Sequence, residues 1–215
     1  MTTSIFQALT DTLYGVGAQI VGQSYQWYRG QDPEMPVICS QNLMGQMSLY
    51  LNPDPNLKSV KPSQSGKPVW YAMVDRTNTL VGDFFVGPLG TLFIQSQQSL
   101  LATALIQCND VLTFSRPHQR ASYDPSLSQS GTPSQYQDIC IAVPASVLDK
   151  SRAEKSDVGL PLDPKFGTFE VLLPDLGVQI RTSDRITDRT GNQYSVESVE
   201  LTPLGYRLLI TSENA

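Results

Sequence analysis

The amino-acid sequence predicts a mainly β protein, a β-barrel or β-sandwich with one short N-terminal helix and long loops. Two observations predict this fold class. Short runs rich in β-branched and aromatic residues, roughly ten of them, are separated by Gly, Pro, Asn and Asp, whereas only one segment has helical periodicity. In addition, a cassette of strand, glycine turn and strand occurs twice. The repeat leaves open whether the chain forms one barrel or two small barrel-like halves.

The first element is predicted to be a helix over residues 4–14. Ile5, Leu9 and Leu13 recur every four residues, which is the spacing of one helix face. Gly15 and Gly17 follow this pattern and are expected to end the helix.

An extended arm is predicted next, because residues 19–28 alternate with period two. Tyr25, Trp27 and Tyr28 lie near its end. Large amphipathic side chains of this kind favour interfaces, so these three are candidate interface residues on a first unit comprising residues 1–28. Packing in the core is the alternative.

The rest of the chain divides into two β-rich halves. The first half spans residues 29–116 and contains a buried strand near 67–75 and the first cassette. Residues 117–137 are polar and nearly free of aliphatic side chains, so they are expected to be a linker or projecting loop. The second half spans residues 138–215 and contains a charged loop at 149–165 and the second cassette.

The cassettes run from Gly82 to Phe93 and from Ser183 to Tyr194. At one constant offset three pairs of residues match: Asp83 with Asp184, Gly90 with Gly191, and Phe93 with Tyr194. The aspartates are expected to accept hydrogen bonds from nearby backbone N–H groups, and the glycines to supply the positive φ of a hairpin turn. The aromatic residues are expected to face the core. All of these roles are structural.

Charge and cysteine content limit the possible functions. The net charge is −5, with 15 basic and 20 acidic residues, which argues against tight nucleic-acid binding. Cys39, Cys108 and Cys140 are widely spaced and odd in number, which argues against a disulfide framework and fits a reducing compartment. The sequence contains neither an apolar run of membrane-spanning length nor a signal-peptide pattern, so no membrane is expected as a partner.

Catalytic and cofactor motifs are not evident. The segment from Gly15 to Gly22 resembles a dinucleotide fingerprint, but Ile20 occupies the third glycine position. The single histidine, His118, lies in a polar loop and is more often a solvated residue than part of a catalytic triad. We therefore expect no enzymatic activity, no catalytic residue, no metal site and no cofactor.

The second cassette and the strands after it, SDRITDRTGNQYSVESVEL and YRLLI, resemble the head–tail joining (stopper) family of tailed phages. Members carry Gly-Asp-x-Ile/Leu, a glycine turn and a Tyr-x-Val strand near the end of a small β-barrel. The first cassette, LVGDFFVGPLGTLFI, looks like segments of uncharacterised phage and prophage structural proteins. The resemblance covers about a third of the chain, which is about twice as long as a minimal stopper and has Ser183 where the family has glycine.

The resemblance implies a virion structural protein of the phage neck, assembled in the host bacterial cytoplasm. Copies would form a homo-oligomeric ring that contacts portal or adaptor and tail proteins, and DNA would pass through it without specific binding. The helix and arm, and the loops 117–137 and 149–165, are the segments expected to contact neighbours or the lumen. Stopper, portal adaptor, tail terminator and tail tube all remain open.

Two other classes of function are retained. The first is a glycan- or receptor-binding β module, which would need an exposed Trp27 or Trp70 on which a sugar can stack. The second is a hydrolase, which would need a close, buried pair of carboxylates. Asp184, Asp188 and Glu197 are the candidates for it, although their alternation with arginines is more typical of surface charge pairs.

Overall fold

A computed structural model describes residues 5–57, 68–117, 136–149 and 167–213, apart from the side chains of residues 6–8. Within these ranges the chain forms one α-helix, one short 3-10 helix and twelve β-strands. The prediction of a mainly β fold with an N-terminal helix is confirmed. In the described part of the chain, α1 is neither long nor apolar enough to cross a lipid bilayer.

The first half is a closed six-stranded barrel preceded by helix α1, Ile5–Val21. Its strands are β1 Gln23–Tyr28, β2 Leu43–Asn52, β3 Val69–Met73, β4 Phe84–Gly87, β5 Gly90–Ser96 and β6 Thr103–Cys108. A 3-10 turn, Ser40–Asn42, leads into β2. Around the barrel the strands follow the order β1-β2-β3-β6-β5-β4, and neighbouring strands pair antiparallel.

The second half closes into a barrel of the same design. Its strands are β7 Asp110–Pro117, β8 Tyr136–Asp149, β9 Thr168–Leu173, β10 Arg185–Thr187, β11 Gln193–Thr202 and β12 Gly205–Ser212. They follow the order β7-β8-β9-β12-β11-β10, so each strand of the first barrel has its counterpart six strands later. Both barrels also carry a bulge at the same place, Ile94 to Ser96 in β5 and Val196 to Ser198 in β11. The two halves are therefore a structural duplication.

Two apolar clusters fill the molecule. The smaller one fills the first barrel and comprises Tyr25, Trp27, Leu49, Ala72, Val74, Phe85, Leu92, Ile94 and Leu105. The larger one joins the interior of the second barrel to the outer face of the first, through Tyr28, Phe84, Phe93 and Ile106. Because these four residues are at most 8% exposed, the barrels pack together through a continuous core.

The N-terminal segment differs from the sequence prediction. The helix continues through Gly15 and Gly17 to Val21, and the extended part begins only at Gln23. A Cβ at Gly17 would lie 3.0 Å from the sulfur of Met73, so glycine allows α1 to pack closely on the barrel. This packing offsets the roughly 1 kcal/mol that each glycine costs inside a helix.

The boundary between the halves also differs. We expected it at residues 117–137, with 1–28 as a separate unit, but β1 belongs to the first barrel and β7 to the second. The polar segment follows β7 and precedes β8, which pair with each other, so it connects two strands of one barrel. The barrels meet at Asn109, whose side chain donates to Val147 O at 2.7 Å and accepts from Val147 N at 2.7 Å. Residues 118–135 and 150–166, and with them His118 and most of both predicted loops, lie outside the described residues.

Candidate functional site

The first cassette is organised by a buried carboxylate. Asp83, immediately before β4, is 1% exposed. Arg29 binds it with two hydrogen bonds, Nε to Oδ1 at 2.7 Å and Nη2 to Oδ2 at 2.8 Å. Trp27 Nε1 and the Leu80 backbone N–H also donate to Oδ2, at 2.9 and 2.8 Å. The carboxylate thus ties the end of β1 to the start of β4 and to the turn before it.

The second cassette repeats this arrangement. Asp184 is 2% exposed, and Arg116 Nε and Nη2 donate to its two oxygens at 2.8 and 2.7 Å. The Arg181 backbone N–H donates to Oδ2 at 2.7 Å. Phe114 occupies the position of Trp27 in the paired strands, so the fourth donor of the first cassette has no counterpart here.

Each of the two arginines is held by hydrogen bonds to the aspartate of its own cassette. Hydrogen bonding to Asp83 raises the pKa of Arg29, and hydrogen bonding to Asp184 raises the pKa of Arg116. Arg29 also donates to Asn78 O, and Arg116 to Gln179 O, each at 2.8 Å. The geometry is that of a structural clamp between strands.

The backbone on either side of the aspartates is equivalent as well. In the first copy Gly82 N donates to Ile94 O, and Ile94 N donates to Asp83 O, both at 2.9 Å. In the second copy the bonds run from Ser183 N to Val196 O at 2.8 Å and from Val196 N to Asp184 O at 3.0 Å. The residue before each aspartate has positive φ, 92° at Gly82 and 71° at Ser183. Ser183 therefore adopts the positive φ that glycine provides at Gly82 in the first copy.

The hairpin turns use glycine as expected, with φ of 89° at Gly90 and 90° at Gly191. The turns differ in length, however. Four residues separate Val86 from its partner Thr91, whereas five separate Thr187 from Gln193. The second copy has gained one residue in the turn.

Because of this extra residue, the predicted match of Phe93 with Tyr194 is wrong. Phe93 pairs with Phe84, the residue after Asp83, and Ser195 pairs with Arg185, the residue after Asp184. The counterpart of Phe93 is thus Ser195, and Tyr194 corresponds to Leu92. Phe93 is buried, whereas Tyr194 is half-buried and packs edge-on against Phe169 with ring centroids 5.6 Å apart.

Asp188 organises the longer turn. Its carboxylate accepts hydrogen bonds from the backbone and side chain of Thr190 and Asn192 at 2.7 to 2.9 Å, and from Tyr194 Oη at 3.2 Å. Partial burial raises the pKa of Asp188, but the bonds from Thr190 and Asn192 outweigh it and hold the pKa at about 2. Burial and the neighbouring Asp188 raise the pKa of Tyr194.

The carboxylates considered for hydrolysis have other partners. Asp184 is bound by Arg116, and Asp188 is bound by its own turn. Arg185 and Arg189, which alternate with them in sequence, pair with Glu213 at 2.9 Å and Asp110 at 3.5 Å. In the described ranges, no group of three or more His, Cys, Asp or Glu residues is placed to hold a metal ion.

The predicted interface residues do not form an external surface. Tyr25, Trp27 and Tyr28 are 1%, 9% and 8% exposed. The first two lie inside the first barrel, and Tyr28 packs between the barrels. The closed barrel buries Tyr25 and Trp27 on one face of β1, and the second barrel buries Tyr28 on the other, so the core alternative is correct.

Each cassette borders a cleft, and the two clefts differ in which barrels contribute their described lining residues. The first, of about 230 Å³, lies between the barrels and is lined by Gly82 and Asp83 of one and by Val143 and Leu176 of the other. The second, of about 490 Å³, is lined among the described residues by the second barrel, including Arg116 and Ser183. The first cassette thus lies at the junction of the barrels.

Sequence reasoning missed the two arginines of the clamps. The sequence contains a repeated pattern that marks them, an aromatic residue, one further residue and an arginine at the end of a strand. It occurs as Trp27-Tyr28-Arg29 and as Phe114-Ser115-Arg116, far from the cassettes in sequence. No family model, no curated protein and no solved structure matches the chain.

Proposed function

We propose that the protein is a structural component of the neck of a tailed phage, where copies form a ring that joins the portal and head to the tail. The observation that carries this proposal is the duplicated cassette. Its sequence resembles the head–tail joining family, and each copy clamps the strands of a closed barrel through a buried aspartate and an arginine. The buried Asp83–Arg29 and Asp184–Arg116 pairs thus hold the strands of each barrel together.

The acidic balance of the chain supports passage of DNA without binding. The sequence has 15 basic and 20 acidic residues, hence a net charge of −5. In the described ranges, six arginines lie within 4.0 Å of a carboxylate: Arg29, Arg76, Arg116, Arg185, Arg189 and Arg207. Cations already neutralised in this way release few counterions from a phosphate backbone, so the barrels offer DNA little grip.

The carbohydrate alternative loses the feature that motivated it. Trp27 is buried and its indole N–H is bound by Asp83, so its ring offers no stacking surface. Trp70 is half-buried, and its N–H donates to Gln107 at 3.1 Å. We therefore favour the ring over the glycan-binding module. Within the neck, the portal adaptor, terminator and tube positions remain alternatives to the stopper.

Cryo-electron microscopy of the parent particle tests the proposal. We expect two tandem barrels per copy in a ring between portal and tail. Mass photometry of the purified chain with and without portal gives a second test, in which a ring-sized assembly with portal is expected. A chain that occurs in infected cells but never in virions would refute the proposal.

DNA retention provides an independent check. At about 150 mM salt and about 100 µM chain, a concentration at which non-specific binders with Kd values of 10⁻⁴ to 10⁻⁶ M retain double-stranded DNA, the DNA is expected to migrate unshifted. Tight retention of the DNA by the chain would contradict the proposal that DNA passes through the ring without being bound.

A further inference from the structure

Helix α1 presents its apolar side away from the protein. The five large apolar residues along one side of the helix are all exposed: Ile5, Leu9, Leu13, Val16 and Ile20, by 87%, 57%, 60%, 47% and 76%. We call these five residues the α1 stripe. An amphipathic helix normally turns its apolar face towards the core. In this protein that arrangement is reversed.

Small and polar residues hold the opposite side of α1 to the barrel. Ala18 is 1% exposed, and a Cβ on Gly15 would lie 3.7 Å from Cβ of Asp75. Asp11 pairs with Arg76 at 3.5 Å. Because residues at i and i+4 or i+3 share a helix face, Asp11, Gly15 and Ala18 lie together, opposite the stripe. The contacts of this inner face with the barrel thus orient the α1 stripe towards the outside.

The exposed stripe is large enough for a specific interface. Taking roughly 200 Å² for a fully exposed Leu or Ile, its five residues expose roughly 600 Å², compared with about 800 Å² per partner in standard protein interfaces. A continuous apolar patch of this size marks an interaction site.

The spacing of the stripe indicates what it binds. Leu9, Leu13, Val16 and Ile20 are separated by four, three and four residues, which is the spacing of the seam between two packed helices. Asp11 is the one charged residue within α1, and it lies on the inner face, so two stripes can meet without bringing like charges together. The other exposed large apolar residues in the described ranges form no run of this periodicity in the sequence. Within these ranges, the surface that best matches the stripe is another α1.

We propose that α1 of one copy packs against α1 of a second copy through this stripe, so that the helix is a contact for self-association. The inference goes beyond the proposed ring, because one stripe shared by two copies makes a two-fold pair, whereas neighbours around a ring meet through two different surfaces. The self-association itself is a property of the purified chain. It can therefore hold or fail independently of the phage assignment.

Sedimentation equilibrium of the full chain tests the proposal. The Leu9→Gln/Leu13→Gln variant removes two exposed stripe residues, and the matched control Leu201→Gln/Leu204→Gln removes two leucines of similar exposure on the β11–β12 hairpin. We expect the wild type and the control to self-associate equally, and the stripe variant at least tenfold more weakly. Far-UV circular dichroism checks that both variants stay folded, as expected for substitutions at exposed positions. A wild type that is monomeric at about 100 µM, or an equal loss in the control, would overturn the proposal.

Cross-linking locates the contact. In a Cys39→Ser/Cys108→Ser background, Val16→Cys is expected to give an oxidised dimer, whereas Ser198→Cys, at an exposed site on the second barrel, is not. Equal cross-linking at both positions would overturn the assignment to α1. If the chain joins a portal-bound ring but the purified wild type and the Leu9→Gln/Leu13→Gln variant self-associate equally, then the helix inference fails and the neck function stands. If the helices cross-link but the chain is absent from virions, then the neck function fails and the helix inference stands.

Discussion

Removing the buried carboxylate of the first cassette, by Asp83→Ala, should cost more stability than the equivalent Asp184→Ala. Asp83 accepts hydrogen bonds from Arg29, Trp27 and Leu80, and Asp184 accepts them from Arg116 and Arg181. The two variants delete the same atoms from equivalent sites. They differ in the Trp27 indole N–H, which only the first site must satisfy.

The magnitude follows from the groups that lose their partners. Breaking a buried ion pair by removing one member costs about 3–5 kcal/mol. The side chain of Arg29 is 26% exposed and that of Arg116 28%, so each regains some hydration and the cost falls towards the lower end. Each buried, unsatisfied N–H adds about 1–3 kcal/mol. We therefore expect a loss of about 4 kcal/mol for Asp83→Ala and about 3 kcal/mol for Asp184→Ala.

Urea unfolding at pH 7 measures these free energies, with Glu200→Ala as a control because Glu200 is exposed. With an m value of about 3 kcal/mol/M, the Asp83→Ala midpoint should fall by more than about 1 M. The control should change stability by no more than about 0.5 kcal/mol. A cost for Asp83→Ala within about 1 kcal/mol of the control, or a larger cost for Asp184→Ala, would refute the reasoning.

Three further predictions concern the turns and the close approach of strands. Ser183→Gly should raise the free energy of unfolding by about 0.5–1 kcal/mol, because Ser183 is held at φ 71°; unchanged or lower stability in a melt would contradict this. Gly87→Ala places a Cβ 2.3 Å from the buried ring of Tyr25 and should cost about 1–3 kcal/mol by urea unfolding, whereas Gly30→Ala has 3.6 Å of clearance and serves as control. Asp188 has a pKa of about 2 in place of 3.8, so its contribution is fully present above about pH 3.8 and is lost as the pH falls towards 2. Asp188→Asn should flatten this part of the stability profile, and an unchanged slope in unfolding at pH 2.5 and pH 6 would argue against it.

The sequence was sufficient for the fold class and for the cassette aspartates and glycines, because these depend on local patterns. Asp83 and Gly90 were assigned structural roles from turn chemistry alone. The arginine partners were not found, because Arg29 and Arg116 reach the cassettes only through pairing of strands distant in sequence. A constant offset pairs Tyr194 with Phe93, because it cannot register one residue inserted in a turn.

Long-range packing also explains the errors at the N-terminus. Gly15 and Gly17 are poor helix formers in isolation, yet their missing side chains are what let α1 lie close to Asp75 and Met73. Trp27 and Tyr28 point to opposite faces of one strand, a pattern that fits an exposed arm or a strand buried on both faces. Only the closure of the barrel and the docking of the second one decide between these possibilities.

The duplication is not symmetric at the surface, and the asymmetry limits how barrels can be added. The outer face of the first barrel carries four apolar residues, Tyr28, Phe84, Phe93 and Ile106, which the second barrel covers. At the same positions in the strand pairing, the second barrel carries polar residues, namely Ser115, Arg185, Ser195 and Thr211. A third barrel could not dock there in the same way, because it would have to bury Arg185 together with its partner Glu213.

The other end of the tandem is closed by the helix. Met73 of β3 and Leu172 of β9 occupy equivalent positions in the pairing with β6 and β12. Leu172 lines a cavity together with Phe93 of the first barrel, whereas α1 covers Met73 at Gly17. The helix thus lies where a preceding barrel would otherwise pack. Because one end of the tandem is polar and the other is covered, association of copies cannot repeat the contact inside the chain. It must use a different surface, and the α1 stripe is the largest apolar one that the described residues leave exposed.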